Sequence, residues 1–414
     1  MGRIGTVILA PLVALPMLCA AAGLDSDSGS LTLGEAFSQG AFSLDLRPRY
    51  NHITESDKPK VTEIGTIRTV IRWRSAGWYG LRLNLEAINT GHIGSKRYNP
   101  NGADFATSPY PLLPDPDYTG VNQVFLEYTG RDDGVRVKVG RQVVRMDNQR
   151  WVSDNDFRQI PQLFDGVMAR YNGIENTELS AGYFNRLRDT SGEVDDIRLT
   201  IAHGSWSPLP GHAFAAYAYF HDQPITSNFT GFANNSYRAV GARAEGALMY
   251  GNPVEFPYIA EIAQQKPYAG GDYRIDALYW RLGAGASAAD WTLRADYELR
   301  GSNDGRYGLQ MPLTDFYAFN GWTLHFFTVP RQGLRDAWLT GRYAVGPVTL
   351  YGEYHKFRSD YASLDFGKEL DAGVTWTVLP NAVVRLQHAR YDPGSGQVAP
   401  FIRKTWLTFS YNFG

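Results

Sequence analysis

From about residue 40 onward, apolar and polar residues alternate over short runs. Trp291, Leu293, Ala295, Tyr297 and Leu299 are interleaved with Thr292, Arg294, Asp296, Glu298 and Arg300. A period of two belongs to β-strands, whose successive side chains point to opposite faces. The same rhythm runs through residues 42–49, 79–87, 348–355, 369–377 and 406–413. About 18 strands are expected. Their centres lie near Leu46, Arg72, Leu83, Leu126, Val137, Ala169, Ala181, Leu199, Tyr217, Ala242, Ala260, Leu278, Ala295, Leu339, Leu350, Val374, Leu386 and Phe409. The pattern is weak around Leu199, Ala242 and Leu278, which leaves about 16 strands as the alternative.

Two architectures alternate in this way. A soluble sandwich turns the apolar face inward, whereas a transmembrane barrel turns it toward lipid around a polar lumen. The connections favour the barrel. Ser75-Ala76-Gly77, Val345-Gly346 and Leu379-Pro380-Asn381 read as tight turns, and residues 89–119, 145–162, 301–333 and 392–402 as long polar loops. Short turns at one end and long loops at the other are the outer-membrane pattern. Aromatic residues near strand ends (Tyr50, Trp73, Trp78, Tyr128, Tyr171 and Tyr391) are placed for interfacial girdles. The expected fold class is therefore all-β: an antiparallel up-and-down barrel in the outer membrane of a Gram-negative bacterium, surrounded by lipid and lipopolysaccharide.

The start of the chain agrees with export. Residues 1–22 read as a signal peptide, with Arg3, an apolar stretch from Ile4 to Leu18 and the small residues Ala20-Ala21-Ala22. Residues 23–40 form an N-terminal periplasmic segment in this reading, with a short helix over Leu31–Gln39, and residues 41–414 form the barrel. The only cysteine, Cys19, falls in the signal, so disulfides and thiolate chemistry are excluded from the mature chain. Mean hydropathy of -0.31 excludes a bundle of membrane helices. A net charge of -2 removes any global basic bias toward nucleic acid. The basic residues are lopsided, however: 32 Arg against 8 Lys.

If the apolar face meets lipid, parity puts a set of arginines in the lumen. It includes Arg47, Arg49, Arg68, Arg72, Arg74, Arg82, Arg136, Arg170, Arg186, Arg294, Arg342 and Arg385. The first six fall on three neighbouring strands, where Asp45 and Glu86 are the only acids near them. Such a wall attracts anions and discriminates against cations. The bland alternative is that these side chains pair with lumen acids and stiffen the wall.

Residues 139–166 read VGRQVVRMDNQRWVSDNDFRQIPQLFDG. This stretch resembles the signature of the alginate-export family of outer-membrane porins. FNGWTLHFFTVPRQGLRD (319–336) resembles that family's second block, as does Tyr354-His355-Lys356-Phe357. Trp151 stands where the family usually has Phe, and Phe157 where Trp is common. The resemblance implies a monomeric 18-stranded barrel with an arginine-rich constriction, carrying an anionic uronate polysaccharide or smaller anions. It also implies that Asp147, Asn148, Gln149 and Arg150 sit in a loop folded into the lumen, with Arg158, Gln159 and Asp165 following as it leaves. The alternative role for that loop is a latch, with Asp147 and Arg150 paired to the wall. An uptake channel for small organic acids, sugars or aromatics is the rival to export.

Other classes find less support. No G-x-S-x-G, no H-E-x-x-H and no close His/Asp pair on one face is evident, so no catalytic residues, no cofactor and no metal site are expected. A non-conducting barrel serving as adhesin or hydrolase is the minor alternative. Asp154-Asn155-Asp156 is a candidate for surface cation binding.

Overall fold

In lipid every backbone N–H and C=O must be paired internally, and the chain meets this demand by closing its sheet on itself. The computed structural model describes residues 31–100, 107–131, 134–223, 230–249, 254–396 and 399–414; the expected signal peptide lies outside them. Eighteen antiparallel strands follow one another in sequence order around a single sheet. The last, β18 (Ile402–Phe413), pairs with the first, β1 (Ala41–Glu55), setting Phe413 opposite Leu44 and Thr408 opposite Arg49. One chain thus makes a ring without free edges. Each expected strand centre falls inside one of these strands, so the count is 18 and not 16.

The connections alternate in length as the sequence implies. At one rim β2 (Thr62–Arg74) turns into β3 (Leu81–Ile93) through residues 75–80, and β14 (Leu334–Val345) into β15 (Val348–Arg358) through 346–347. At the other rim lie the long connections, residues 143–162 and 301–333 among them. A short helix, α1 (Leu33–Ser38), sits at the short-turn rim. Thr32 and Glu35 form its capping box, and the Ala76 N–H donates to the Ala36 carbonyl.

Burial follows the alternation. On β13 (Trp291–Arg300), Trp291 and Leu293 are 62% and 63% exposed on the outer surface, while Glu298 and Arg300 are each 1% exposed on the inner one. Two expectations fail locally. A β-bulge between Phe184 and Arg186 reverses the parity of β7 (Thr177–Arg188): Leu187 turns inward and buries, and Arg186 stands exposed beside Asp196 at 3.4 Å instead of in the lumen. Tyr391 does not join an outer girdle. It shares the inward parity of Arg385 and Gln387 on β17 (Ala382–Pro393) and packs with Phe326, Phe357 and Phe366.

The weakly patterned strands have a physical cause. On β8 (Val194–Leu209), β10 (Tyr237–Met249) and β12 (Ala277–Ala288) the inward residues are themselves largely apolar: Ile197, Leu199 and Ile201, then Tyr237 and Ala239, then Ala277 and Tyr279. Both faces are therefore apolar, and the contrast between them fades.

The outward face carries a testable cost. Leu339 lies mid-strand on β14, opposite Ala295, and is 53% exposed on the outer surface. Leu339→Arg should destabilise the barrel by about 2–4 kcal/mol, measured by reversible folding into phosphatidylcholine vesicles. An arginine tolerated there without cost would mean that this face does not meet hydrocarbon.

Candidate functional site

Two long loops fold into the lumen, one more than the sequence pointed to. Residues 143–162 leave β5 (Val135–Gln142) and return into β6 (Leu163–Ile174), and residues 301–333 join β13 to β14. They are tied to each other by backbone. The Ser153 N–H donates to the Leu313 carbonyl at 2.8 Å, and the Asp315 N–H to the Gln149 carbonyl at 3.0 Å. The Asn155 side chain bridges them, donating to the Thr314 carbonyl and accepting from the Phe316 N–H. Trp151, Val152, Leu309, Met311 and Leu313 bury against inward side chains of β7 through β12. Trp151 meets Tyr279 edge-to-face at 5.5 Å, and its ring N–H donates to Glu261 at 3.0 Å. Part of the lumen is thus an apolar core. Irregular backbone is stable at this depth because it is enclosed by protein.

The turn of the first loop is sharp, with Asp147 and Gln149 both in the left-handed region (φ 47° and 66°). Its charged residues latch to the wall. Asp147 lies 2.8 Å from His203 Nε2 on β8. Arg150 makes a two-pronged pair with Glu298 on β13, at 2.8 and 2.6 Å, and donates to Asn320 of the second loop at 2.9 Å. Both Arg150 and Glu298 are buried. Asn148 accepts from the Arg150 N–H, and Gln149 accepts from the Ser153 hydroxyl. Asp165 is not in the loop. It lies on β6 and pairs with Arg141 of β5 at 2.7 Å.

The basic wall on β1 and β2 receives the far end of the same loop. Arg47 donates to the carbonyls of Asp156 and Arg158 and to the Gln159 side chain. Gln159 in turn donates to Thr66. Arg68 bridges Asp45 at 3.0 Å and Asp156 at 2.6 Å. Burial favours a neutral Asp156, but Arg68 and Arg47 overcome it and hold the carboxyl below its ordinary range. Asp315, buried without such partners, is pushed up to about 6. The Asp154–Asp156 stretch is therefore no surface cation site: Asp154 pairs with Arg145, and Asp156 with Arg68 and Arg47.

Other wall arginines are paired locally: Arg72 with Glu86, Arg74 with Glu127 at 3.6 Å, and Arg294 with Asp296 at 2.6 Å. Arg82, at the start of β3, is half-buried. A second group differs. Arg49, Arg158, Arg342 and Arg385 have no carboxylate within 4 Å among the described residues. Arg49 donates to Thr408, and Thr408 is the cross-strand neighbour of both Arg49 and Arg385. The charges acting on Arg49 include Asp115 of opposite sign and Arg385 and Arg158 of like sign. Phe157 lies under the Arg49 guanidinium at 4.4 Å. Sequence parity placed Arg49 and Arg385 in the lumen, but only the barrel seam sets β1 beside β18, with β17 on the far side of that strand. The expectation of no close His/Asp pair is also overturned: His355 Nδ1 stands 3.0 Å from both oxygens of Asp336, on the adjacent strand.

Arg150→Ala should cost about 3–5 kcal/mol, because it strands the Glu298 charge in the interior. The expected readouts are a lowered unfolding midpoint and new protease cleavage within residues 143–162 or 301–333. Replacing Arg150 and Glu298 together with Met and Leu should recover much of the loss.

Against known proteins, the sequence model described as "Alginate export" matches residues 92–301. No curated protein matches the chain. The barrel is similar to solved Pseudomonas aeruginosa structures. OccK9 (OpdG) superposes with a TM-score of 0.70 at 15% identity, over 91% of this chain and 100% of that one. OpdK, solved with vanillate, gives 0.69 at 14% identity over 90% and 98%. OccD3 (OpdP) gives 0.66 at 14% identity over 90% and 91%.

Proposed function

The chain belongs to the alginate-export family and is an outer-membrane porin, and from that premise we propose that it passes anionic solutes. The observation carrying this reading is the group Arg49, Arg158 and Arg385, three guanidiniums with no carboxylate within 4 Å among the described residues, Asp115 acting on Arg49 and Arg158 from farther away. Arg is suited to the task. Its fork offers two parallel N–H donors to a carboxylate and keeps its charge at any physiological pH. A passing anion gains from each contact, and sharing the charge over several arginines keeps any one of them from trapping it. Arg342, on the inner face of β14, is a further station of this kind. In this reading Arg47 and Arg68 act indirectly, by holding the loop that presents Arg158.

Small organic anions suit a lumen into which two loops are folded and cross-tied. The vanillate bound by OpdK, a barrel of the same fold, is a carboxylate of that size. Family membership supports a second reading, passage of an anionic uronate polysaccharide along the same arginines.

The test is conductance in a planar bilayer under a KCl gradient. We expect a reversal potential shifted toward chloride. Arg158→Glu with Arg385→Glu should weaken or invert that shift while leaving barrel stability nearly unchanged. Arg47→Glu should instead raise conductance by releasing the loop. Selectivity that is indifferent to the 158/385 pair would overturn the anion reading. Current blocking by uronate oligomers, but not by benzoate-sized acids, would favour the polysaccharide.

A further inference from the structure

On the inner wall of β14, β15 and β16 (Asp365–Leu379), four carboxylates surround one imidazole. They are Asp336, Glu353, Glu369 and Asp371, and the imidazole is His355. The strand register makes them neighbours, with Glu353 opposite Asp371 and His355 opposite Glu369. Among the described residues none of the four has a Lys or Arg nitrogen within 4 Å. His355 is the cationic side chain that comes within 4 Å of them among the described residues, and Lys404 acts on Glu369 from farther off. Asp336, His355, Glu369 and Asp371 are at most 1% exposed. Buried carboxylates of this number are stabilised either by taking up protons or by a further counter-charge, since a single imidazolium does not balance four of them.

The imidazole is oriented for a second task. Asp336 takes Nδ1, so the opposite nitrogen, Nε2, points at the remaining acids: 3.3 Å from Glu353 Oε2 and 4.0 Å from Asp371 Oδ2. Trp338 and Phe357 both lie nearly parallel to the ring, at 5.6 and 5.4 Å, and restrict its rotation. A carboxylate behind a histidine is the arrangement that fixes the tautomer of a metal ligand and raises its basicity. Asp371 adds an independent sign. It is buried, and its Oδ1 has no hydrogen-bond partner. One donor atom from each of Glu353, His355 and Asp371 lies within 4.8 Å of the others.

We infer that Glu353, His355 Nε2 and Asp371 bind a divalent transition-metal ion, with Asp336 as the positioning residue behind the histidine. One nitrogen and two carboxylates suit a borderline ion such as Zn²⁺ better than Mg²⁺ or Ca²⁺, which take oxygen alone. Ligands about 2.1 Å from a tetrahedral Zn²⁺ stand about 3.4 Å apart. The Glu353–His355 spacing already matches, and Asp371 has to close by about half an ångström toward His355, within a set of atoms that lie no more than 4.8 Å apart. Glu353 keeps some solvent contact, which gives the ion its entry.

The site would hold more than the wall. The Trp322 N–H donates to Asp371, and Thr323 donates to Glu369 through both its N–H and its hydroxyl. Gly321 (φ +85°) allows the close approach, since a Cβ there would meet the Glu369 carboxylate at 2.5 Å. The ion would therefore sit directly behind the tip of the second lumen loop and fix it to the barrel.

The full chain, purified in detergent and stripped with a chelator, is titrated with Zn²⁺ by calorimetry. One saturable site per chain is expected, with a raised unfolding temperature. Glu353→Gln should weaken binding on the order of 100-fold, and Asp336→Asn on the order of 10–100-fold. Heat-modifiable electrophoretic mobility checks that each variant folds. Co²⁺ provides a readout without substitution, since one nitrogen and two carboxylates in a tetrahedral field give a visible absorption band. Absence of saturable 1:1 binding overturns the site. So does Zn²⁺ binding that Glu353→Gln leaves unchanged, because the ion then sits elsewhere.

Discussion

Hydrocarbon offers no hydrogen bonds, and the architecture follows from that fact. Each strand must find partners on both sides, so the sheet can end only by meeting its own beginning. The seam between β1 and β18 satisfies the last unpaired backbone row. With lipid outside, the apolar half of each strand faces outward, and the charged half is left to line the interior. Thirty-two arginines in an exported chain without a disulfide make sense once that interior is the place where the sequence keeps its chemistry.

Charge inside the ring does two kinds of work. Arg150 with Glu298, and Arg68 with Asp45 and Asp156, fasten loops to strands. These pairs are buried or nearly so, and they fix which of many loop arrangements is adopted. Arg49, Arg158 and Arg385 have no carboxylate within 4 Å among the described residues, and Arg49 is held instead by Thr408 and the Phe157 ring. The distinction is one of partners, not of residue type. An arginine count along the sequence cannot make it, since Arg68 shares the inward parity of Arg49 and Arg385, and Arg150 and Arg158 lie in one loop.

That difference marks how far the chain could be read beforehand. Strand number, order, loop lengths and inward parity were all legible, because a two-residue period and alternating turn lengths are local signals. Arg186 was misplaced because a bulge adds one residue invisibly to the alternation. Tyr391 was assigned to a girdle from its residue type, although its parity with Arg385 pointed inward. The second lumen loop was missed although Leu309, Met311, Leu313, Phe316 and Tyr317 crowd a segment too apolar for a solvent-facing loop. The Asp336–His355 contact crosses strands, and its register becomes visible only once the sheet is assembled.

The ring is sealed at one contact between its first and last strands, where Phe413 stands opposite Leu44. Without the dozen residues of β18, one flank of β1 stays bare. A truncation that removes even those few residues would not merely shorten the wall. It would leave a permanently open cylinder with two sticky borders, vulnerable to joining a neighbour's.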